Sequence, residues 1–341
     1  MRIPVVDIAP FRDGLGEARV ATAWDAAMRE TGFALIAGHG IADGLLDGIY
    51  DHAQDFFARS PAEKARLTFP DKGRGQGYLP LRSEIVGSGR DPKARPDLCE
   101  SLTFANPRFD REAAGNDLDA RLYRPNLWPD DMPGFRETVE AYMAAGRGLA
   151  LTLMRLSAVA LGLPEDHFAP FFDRMELNLR CVLYPDQPEA PEENALRYGP
   201  HTDFSGFTIL RQAAAPGGLQ VKLGADWIDV APVPGTLVIN AGDLIQRWTN
   251  DRWVSNVHRV VNPSPPPPFA PDGATGTSPT SALARARGRT GNERLSIVLF
   301  TGPNTDAEIA CLPGCGDAKY PPILAGLHSE ERMRQTYGTQ L

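Results

Sequence analysis

The sequence predicts an α+β protein in which helices come first and a β core follows. Three observations carry that assignment. Apolar residues recur at three- and four-residue intervals in the first half, and the longest such stretch lies between residues 134 and 163. After residue 176 the rhythm changes to short β-type runs at 177–184, 207–211, 218–222, 227–230, 236–240, 257–261 and 294–300. Pro, Gly, Asn and Asp separate those runs, as they do in a sandwich or jelly roll. With 341 residues, 42% of them hydrophobic and 23% charged, the chain has the material for a sizeable core.

The elements follow in order. Ile3-Pro4-Val5-Val6-Asp7-Ile8 reads as a short strand with Pro at its edge. Val20, Ala21, Trp24, Ala27 and Met28 share one helical face within 17–30, and Thr31-Gly32 stops that helix. Phe33 to Ala37 is a buried-strand run turned by Gly38-His39-Gly40, in which His39 reads as a turn or packing residue. Leu45, Ile49, Ala53, Phe56 and Phe57 mark a second helix, with His52 in it as a surface or packing residue. Ser60-Pro61-Ala62-Glu63 starts another, with Pro at the first position and an acidic third residue. Residues 71–96, rich in Gly, Arg and Pro, read as a mobile excursion around Gly77-Tyr78, of the kind that lines a substrate entrance. Phe135, Val139, Tyr142, Met143, Leu149, Leu153 and Leu156 give the long helix a wide apolar stripe to back the core, and Leu163-Pro164 ends it. Pro263 to Gly291 interrupts the β series. Pro265-Pro266-Pro267-Pro268 and a Gly/Ala/Ser/Thr/Arg mixture read as a long insertion, with Arg285, Arg287 and Arg289 a solvated run.

A net charge of −8 argues against binding a phosphate backbone, which needs a basic surface. No basic stretch followed by an apolar one opens the chain, and no apolar run is long enough to span a bilayer. The expectation is a cytoplasmic enzyme for a small-molecule substrate, monomeric or weakly oligomeric, with no nucleic-acid or membrane partner. Four cysteines in a chain this long do not make a disulfide framework. Cys311 and Cys315 read as reduced thiols in a Pro/Gly-rich loop. Half of a zinc site completed by Cys99 and Cys181 is disfavoured, because no second close pair exists.

Chemistry concentrates at three places in the β half. Pro200-His201-Thr202-Asp203, with Phe207-Thr208-Ile209-Leu210 after it, reads as a strand entered from a loop. Residues two apart on a strand share a face, so His201 and Asp203 can present an imidazole and a carboxylate to one point. Such a pair suits a divalent iron site of two His and one carboxylate with open positions. A bland surface turn is the competing reading. His258, inside Val257-His258-Arg259-Val260-Val261, is either a further ligand or a core histidine bonded to a backbone carbonyl. Arg294 and Ser296 share one strand face, where a guanidinium fork beside a hydroxyl makes a carboxylate receptor. The alternative is a surface arginine on an edge strand. Gln246, Trp248 and Asn256 are candidates for supporting the ligands or lining a pocket. Pocket walls are expected from residues 73–101, from Phe204 to Phe207 and from the segment 320–337.

Together, His201-Thr202-Asp203, the run from Gly242 through Trp253 to His258-Arg259-Val260, and Arg294-Leu295-Ser296 resemble the isopenicillin N synthase-like family of non-haem Fe(II), 2-oxoglutarate-dependent dioxygenases. The amino-terminal part is similar too, in Ile3-Pro4-Val5-Val6-Asp7, Gly32-Phe33, His39-Gly40-Ile41, Phe56-Phe57 and Glu63-Lys64. The resemblance covers nearly the whole chain. It implies a double-stranded β-helix (jelly-roll) core with a helical N-terminal region and a long backing helix. It implies His201, Asp203 and His258 as iron ligands, Arg294 and Ser296 as the anchor for the distal carboxylate of 2-oxoglutarate, and Tyr184 as a further contact to that co-substrate. Fe(II), 2-oxoglutarate and O2 would then serve attack on a C–H bond of a small molecule. Hydroxylation, desaturation or cyclisation would be the outcome, with succinate and CO2 as co-products. The implied organisation is an N-terminal dioxygenase region at 1–105, a linker and backing helix at 106–175, a Fe(II)/2-oxoglutarate core at 176–310 carrying the insertion 263–291, and a C-terminal segment at 311–341.

The chain departs from the family pattern twice. Many plant relatives carry Asn-Tyr-Tyr-Pro where this chain has Val182-Leu183-Tyr184-Pro185, which removes an asparagine contact to the co-substrate. The stretch from His258 to Arg294 is also much longer than usual. Two other functions use the same residues: an Fe(II) oxidase of this fold that works without 2-oxoglutarate, and a catalytically silent metal-binding protein. A zinc hydrolase on a similar barrel is disfavoured, since no general base or third histidine accompanies the set.

Overall fold

The β half is built on alternation. In Glu176–Tyr184 the residues Leu177, Leu179, Cys181 and Leu183 point into the core, and the alternate residues point the other way. A computed structural model of the protein describes residues 2–69, 75–90, 92–111, 115–215, 217–263 and 291–337. The insertion expected at 263–291, with Arg285, Arg287 and Arg289, falls outside them except for its first and last residues.

The chain opens with β1 (Val5–Asp7), α1 (Ala9–Arg12), α2 (Glu17–Glu30) and β2 (Phe33–Ala37). It continues through α3 (Asp43–Phe57) and α4 (Pro61–Ala65), which Ser60 and Glu63 start with a reciprocal capping box. Of the excursion expected at 71–96, residues 71–74 and 91 lie outside the described residues, Gly75, Gln76 and Val86 line the cavity as expected of a substrate entrance, and Gly77–Leu79 is instead an ordered edge strand. β3 (Gly77–Leu79) pairs with β4 (Glu100–Ala105), and the Tyr78 hydroxyl donates to Glu100 at 2.6 Å. Lys64 reaches the same carboxylate at 2.7 Å, so a buried ion pair pins this strand. α5 (Asp117–Leu122) precedes the long helix α6 (Phe135–Ala160), which stops three residues earlier than Leu163-Pro164 suggests. Its apolar stripe, with Phe135, Val139, Tyr142, Leu149 and Leu153, is buried as expected.

The remaining elements are β5 (Glu176–Tyr184), β6 (Tyr198–His201), β7 (Phe207–Gln212), β8 (Gly218–Leu223), β9 (Asp226–Asp229), β10 (Leu237–Ala241), α7 (Asp243–Trp248), β11 (His258–Val261), β12 (Arg294–Gly302), β13 (Glu308–Ile309), β14 (Ile323–Leu324) and α8 (Ala325–Tyr337). Eight strands form the major sheet in the order β1-β2-β10-β7-β12-β5-β4-β3, and four form the minor sheet in the order β6-β11-β8-β9. This is the expected jelly-roll core. α2, α3 and α6 cover one face of the major sheet, where Trp24 donates to Ser157 of α6 at 3.0 Å. The opposite face lines a cavity shared with β6, β8 and β11 of the minor sheet. Among the described residues, no helix is long and apolar enough to cross a membrane.

Candidate metal centre

His201 and His258 come together because β6 and β11 are antiparallel neighbours that place the two residues directly opposite each other. Asp203 does not lie on the same strand as His201. β6 ends at His201, and the turn through Thr202 and Ser205 carries the chain across to β7 of the major sheet. Contrary to the shared strand face expected for His201 and Asp203, the turn, not the pleat, aims the carboxylate. Backbone bonds hold that turn in place. Asp243 N–H donates to the Asp203 carbonyl at 2.8 Å, and Gly242 N–H donates to the Gly206 carbonyl at 2.8 Å. A side chain at Gly242 would begin 2.5 Å from the Ser205 carbonyl oxygen, so only glycine permits the approach.

The donor atoms face one another. Nε2 of His201 and Nε2 of His258 each lie 3.7 Å from Oδ1 of Asp203. The three ligand atoms all fall within 4.8 Å of one another. Among the described residues this is the group of His, Cys, Asp and Glu side chains able to hold a metal ion. Nδ1 of His201 contacts the Gly199 carbonyl at 2.9 Å, and Nδ1 of His258 contacts the Asn256 carbonyl at 3.2 Å. A carbonyl only accepts, so each ring donates from Nδ1, which leaves Nε2 as the atom turned toward Asp203. Oδ2 of Asp203 accepts from Thr208 Oγ1 and from Asn240 Nδ2, each at 2.6 Å, which turns Oδ1 toward the histidines. Burial, reinforced by the His258 ring, pushes the His201 pKa down to about 3 against the pull of Asp203. Burial works to raise the Asp203 pKa, but the two histidines, Asn240 and Thr208 outweigh it and hold the carboxyl below the usual range. Neutral imidazoles and an ionised carboxylate are the forms that bind a divalent cation.

The arginine anchor lies in the same cavity. Arg294 is buried on β12, not on a surface edge, and sits directly opposite Tyr184 of β5, with its guanidinium 5.8 Å from the ring. One Nη donates to Gln212 at 3.0 Å, while Nε has no hydrogen-bond partner. A buried guanidinium with an unused donor suits an incoming carboxylate. Ser296 lies two residues along the same face and lines the cavity with Arg294, Tyr184, His201, Asp203 and His258. The cavity has a volume of about 190 Å³, and away from Arg294 it is lined by Glu176, by Tyr123 of the segment after α5, and by Ser329 and Met333 of α8.

Residues 175–266 match the family described as the 2OG-Fe(II) oxygenase superfamily, and residues 3–131 match the family described as non-haem dioxygenase in morphine synthesis N-terminal. The chain is 32% identical to the 2-oxoglutarate-Fe(II) type oxidoreductase hxnY of Emericella nidulans, over 98% of this chain and 90% of that protein. The chain belongs to the 2OG-Fe(II) oxygenase superfamily. It is also 28% identical to Homoarginine-6-hydroxylase 2-ODD-233 of Oryza sativa subsp. japonica, over 97% of this chain and 96% of the relative. The crystal structure of a full-length Neurospora crassa protein in complex with alpha-KG (2-oxoglutarate) and thymine superposes with a TM-score of 0.78 at 28% identity. It covers 98% of this chain and 97% of that one.

This oxygenase therefore uses Fe(II), 2-oxoglutarate and O2, and the six residues expected at metal and co-substrate all line one cavity. The supporting residues differ from expectation. Trp248 packs against Phe168 and Phe171 in the core, with ring centroids 5.1 and 5.2 Å away, and does not line the cavity. Gln246 accepts from Ser255 N–H at 2.6 Å and so shapes the approach to His258. Asn256 ties that approach to Thr31 at 2.8 Å, and its carbonyl orients His258. Phe204 and Ser205 line the cavity as expected, whereas Phe207 packs against Trp24 in the core at 5.3 Å. Sequence reasoning missed Thr208, Asn240 and Gln212, and also the cavity row Glu176, Asn178 and Arg180. The alternation of those three with Leu177, Leu179 and Cys181 is the signal that could have found the row.

Proposed function

We propose that His201, Asp203 and His258 are the iron ligands of this dioxygenase, and that Arg294, Ser296 and Tyr184 receive 2-oxoglutarate. The carrying observation is the convergence of two imidazole nitrogens and one carboxylate oxygen within 4.8 Å beside a buried arginine whose Nε is unused. The donor set, two imidazoles and one carboxylate with a face left open, fits a non-haem Fe(II) site. When bound, the iron supplies dioxygen activation coupled to conversion of 2-oxoglutarate to succinate and CO2 and to oxidation of a substrate C–H bond. The protein's part is orientation. Thr208 and Asn240 aim Oδ1 of Asp203, and the Gly199 and Asn256 carbonyls fix both rings. Burial of Arg294 makes its bond to a carboxylate strong, and the raised pKa of Tyr184, driven by burial, keeps its phenol a donor.

The homoarginine and thymine named for the two relatives differ in size and charge, so the reaction class carries over and the individual substrate does not. We read the protein further as a cytoplasmic enzyme for a small molecule, without a membrane partner; the net charge of −8 supports a monomer or weak oligomer that does not bind nucleic acid. The test is His201→Ala. It should abolish anaerobic Fe(II) binding and, in air, succinate release from 2-oxoglutarate. A variant that still binds iron and turns over would overturn the ligand assignment.

A further inference from the structure

The end of the cavity opposite Arg294 holds a carboxylate that, among the described residues, makes no ion pair; the nearest cation, Arg108, is bound to Asp119 and offsets its charge only in part. Glu176 opens β5 on the cavity-facing row that also carries Asn178 and Tyr184. It is 5% exposed, and its Oε1 has no hydrogen-bond partner. Directly opposite on β12 stands Gly302. A side chain there would begin 2.7 Å from Glu176 Oε2 and 3.2 Å from Cβ of Ser205, so the missing side chain is what leaves room for the carboxylate. The same two distances put Glu176 close to Ser205, two residues from Asp203 and the metal centre.

The surrounding cations are already committed. Arg108 binds Asp119 at 2.8 Å, and Asp119 adds a second negative charge near Glu176. Arg180 of the same row is paired with Glu84 and bonds Ser101 and Tyr198, each at 3.1 Å. Among the described residues Glu176 makes no ion pair. Its remaining neighbours are neutral, the hydroxyls of Tyr123 and Ser329. A buried carboxylate needs a proton or a partner cation. Burial has pushed this one up to about 7, so it stands ready for either.

We infer that Glu176 is a substrate-recognition residue that binds a cationic nitrogen group, an ammonium or guanidinium, on the substrate whose C–H bond is presented to the metal centre. This inference rests on the iron and 2-oxoglutarate reading above. A guanidinium or ammonium would use the free Oε1 and supply the direct ion pair that Arg108, held by Asp119, does not make.

The test uses the enzyme loaded with Mn(II), which holds the site without turnover, and isothermal titration calorimetry under exclusion of dioxygen. 2-Oxoglutarate is titrated first. If it fails to bind, the co-substrate reading falls and this inference falls with it. With 2-oxoglutarate bound, n-pentylguanidinium, 1-hexanol and hexanoate are compared. The guanidinium probe should bind at least about tenfold tighter than either of the others, as a charge-assisted bond to a buried carboxylate requires. Glu176→Gln should erase that preference and leave 2-oxoglutarate affinity unchanged. The inference is overturned by equal affinities, by no binding of the cation to wild type, or by a preference that survives in a variant with normal 2-oxoglutarate affinity. If Glu176→Gln fails to fold, the wild-type ranking decides.

Discussion

At one end of the cavity Arg294 and Tyr184 face each other across the paired strands β12 and β5; at the other end of the same pairing stand Gly302 and Glu176. Both ends bury an ionisable group with an unused hydrogen-bonding atom, Nε of Arg294 and Oε1 of Glu176. Their surroundings differ. The arginine end is made almost wholly by strands β5, β7 and β12, with Gln212 and Ser296 fixed by the sheet ladder. The glutamate end is lined by the segment after α5 and by α8, elements far apart in sequence that meet only in the fold. A sheet holds side chains rigidly, which suits a co-substrate that never changes. Helix ends and connections can vary without disturbing the ladder, which suits a substrate that differs among relatives.

The largest effect that tests this contrast is expected from Arg294→Ala. Removing one partner of a buried charge pair costs about 4 kcal/mol, so 2-oxoglutarate should bind roughly 10³-fold more weakly, while Mn(II) affinity changes little. Arg294→Lys should recover only part of the loss, because an ammonium lacks the planar fork. Calorimetry on the metal-loaded protein reads both, and unchanged co-substrate affinity would remove the role of Arg294. The glutamate end should show itself next, in stability. Its carboxyl is raised by burial from 4.5 to about 7, so the fold favours the protonated form. Stability present below pH 4.5 is then lost as pH rises toward 7, by about 3 kcal/mol in all. Glu176→Gln cannot ionise and should lack that slope. Urea unfolding at pH 4.5 and pH 8 measures it, and parallel profiles for the two proteins would mean that Glu176 is already compensated.

Much of this layout was readable beforehand, and the failures have physical causes. Helices α2, α3 and α6 followed from apolar spacing, because a helix packed on a sheet must carry a continuous stripe such as Phe135, Val139 and Tyr142. The strand β4 was overlooked although Leu102 and Phe104 alternate with Ser101 and Thr103. Those two polar residues are buried, and polarity in a strand buried on both faces conceals it. Gly77-Tyr78 looked like a mobile loop because glycine and arginine surround it. What orders it is Glu100, distant in sequence, holding Tyr78 and Lys64 together. The strand pleat does not pair His201 with Asp203: Ser205-Gly206 marks a turn, and the two side chains meet at the seam between two sheets. Gln212, Thr208 and Asn240 carry no motif of their own. Their roles exist only through register, which places Asn240 opposite Thr208 and Gln212 opposite Ser296.

That register sets the smallest of the expected effects. Asn240 of β10 and Thr208 of β7 are direct partners, and both donate to one oxygen of Asp203. They divide the carboxylate into a held Oδ2 and a presented Oδ1, a division that the turn alone does not enforce. Asn240→Ala should leave Oδ2 with one donor and let the carboxylate rotate, weakening Fe(II) or Mn(II) binding by about 10–100-fold. Thr208→Val should do the same, and the double variant should lose less than the sum, because the two bonds act on one torsion. Affinity for 2-oxoglutarate in the metal-saturated protein should stay within about twofold in each case, since Arg294 is anchored by Gln212 and not by Asp203. Anaerobic metal titration of the three variants decides the point. Unchanged metal affinity would mean that the backbone bonds from Gly242 and Asp243 are enough to aim Asp203, so that the major sheet contributes to the metal centre only through the path of its chain.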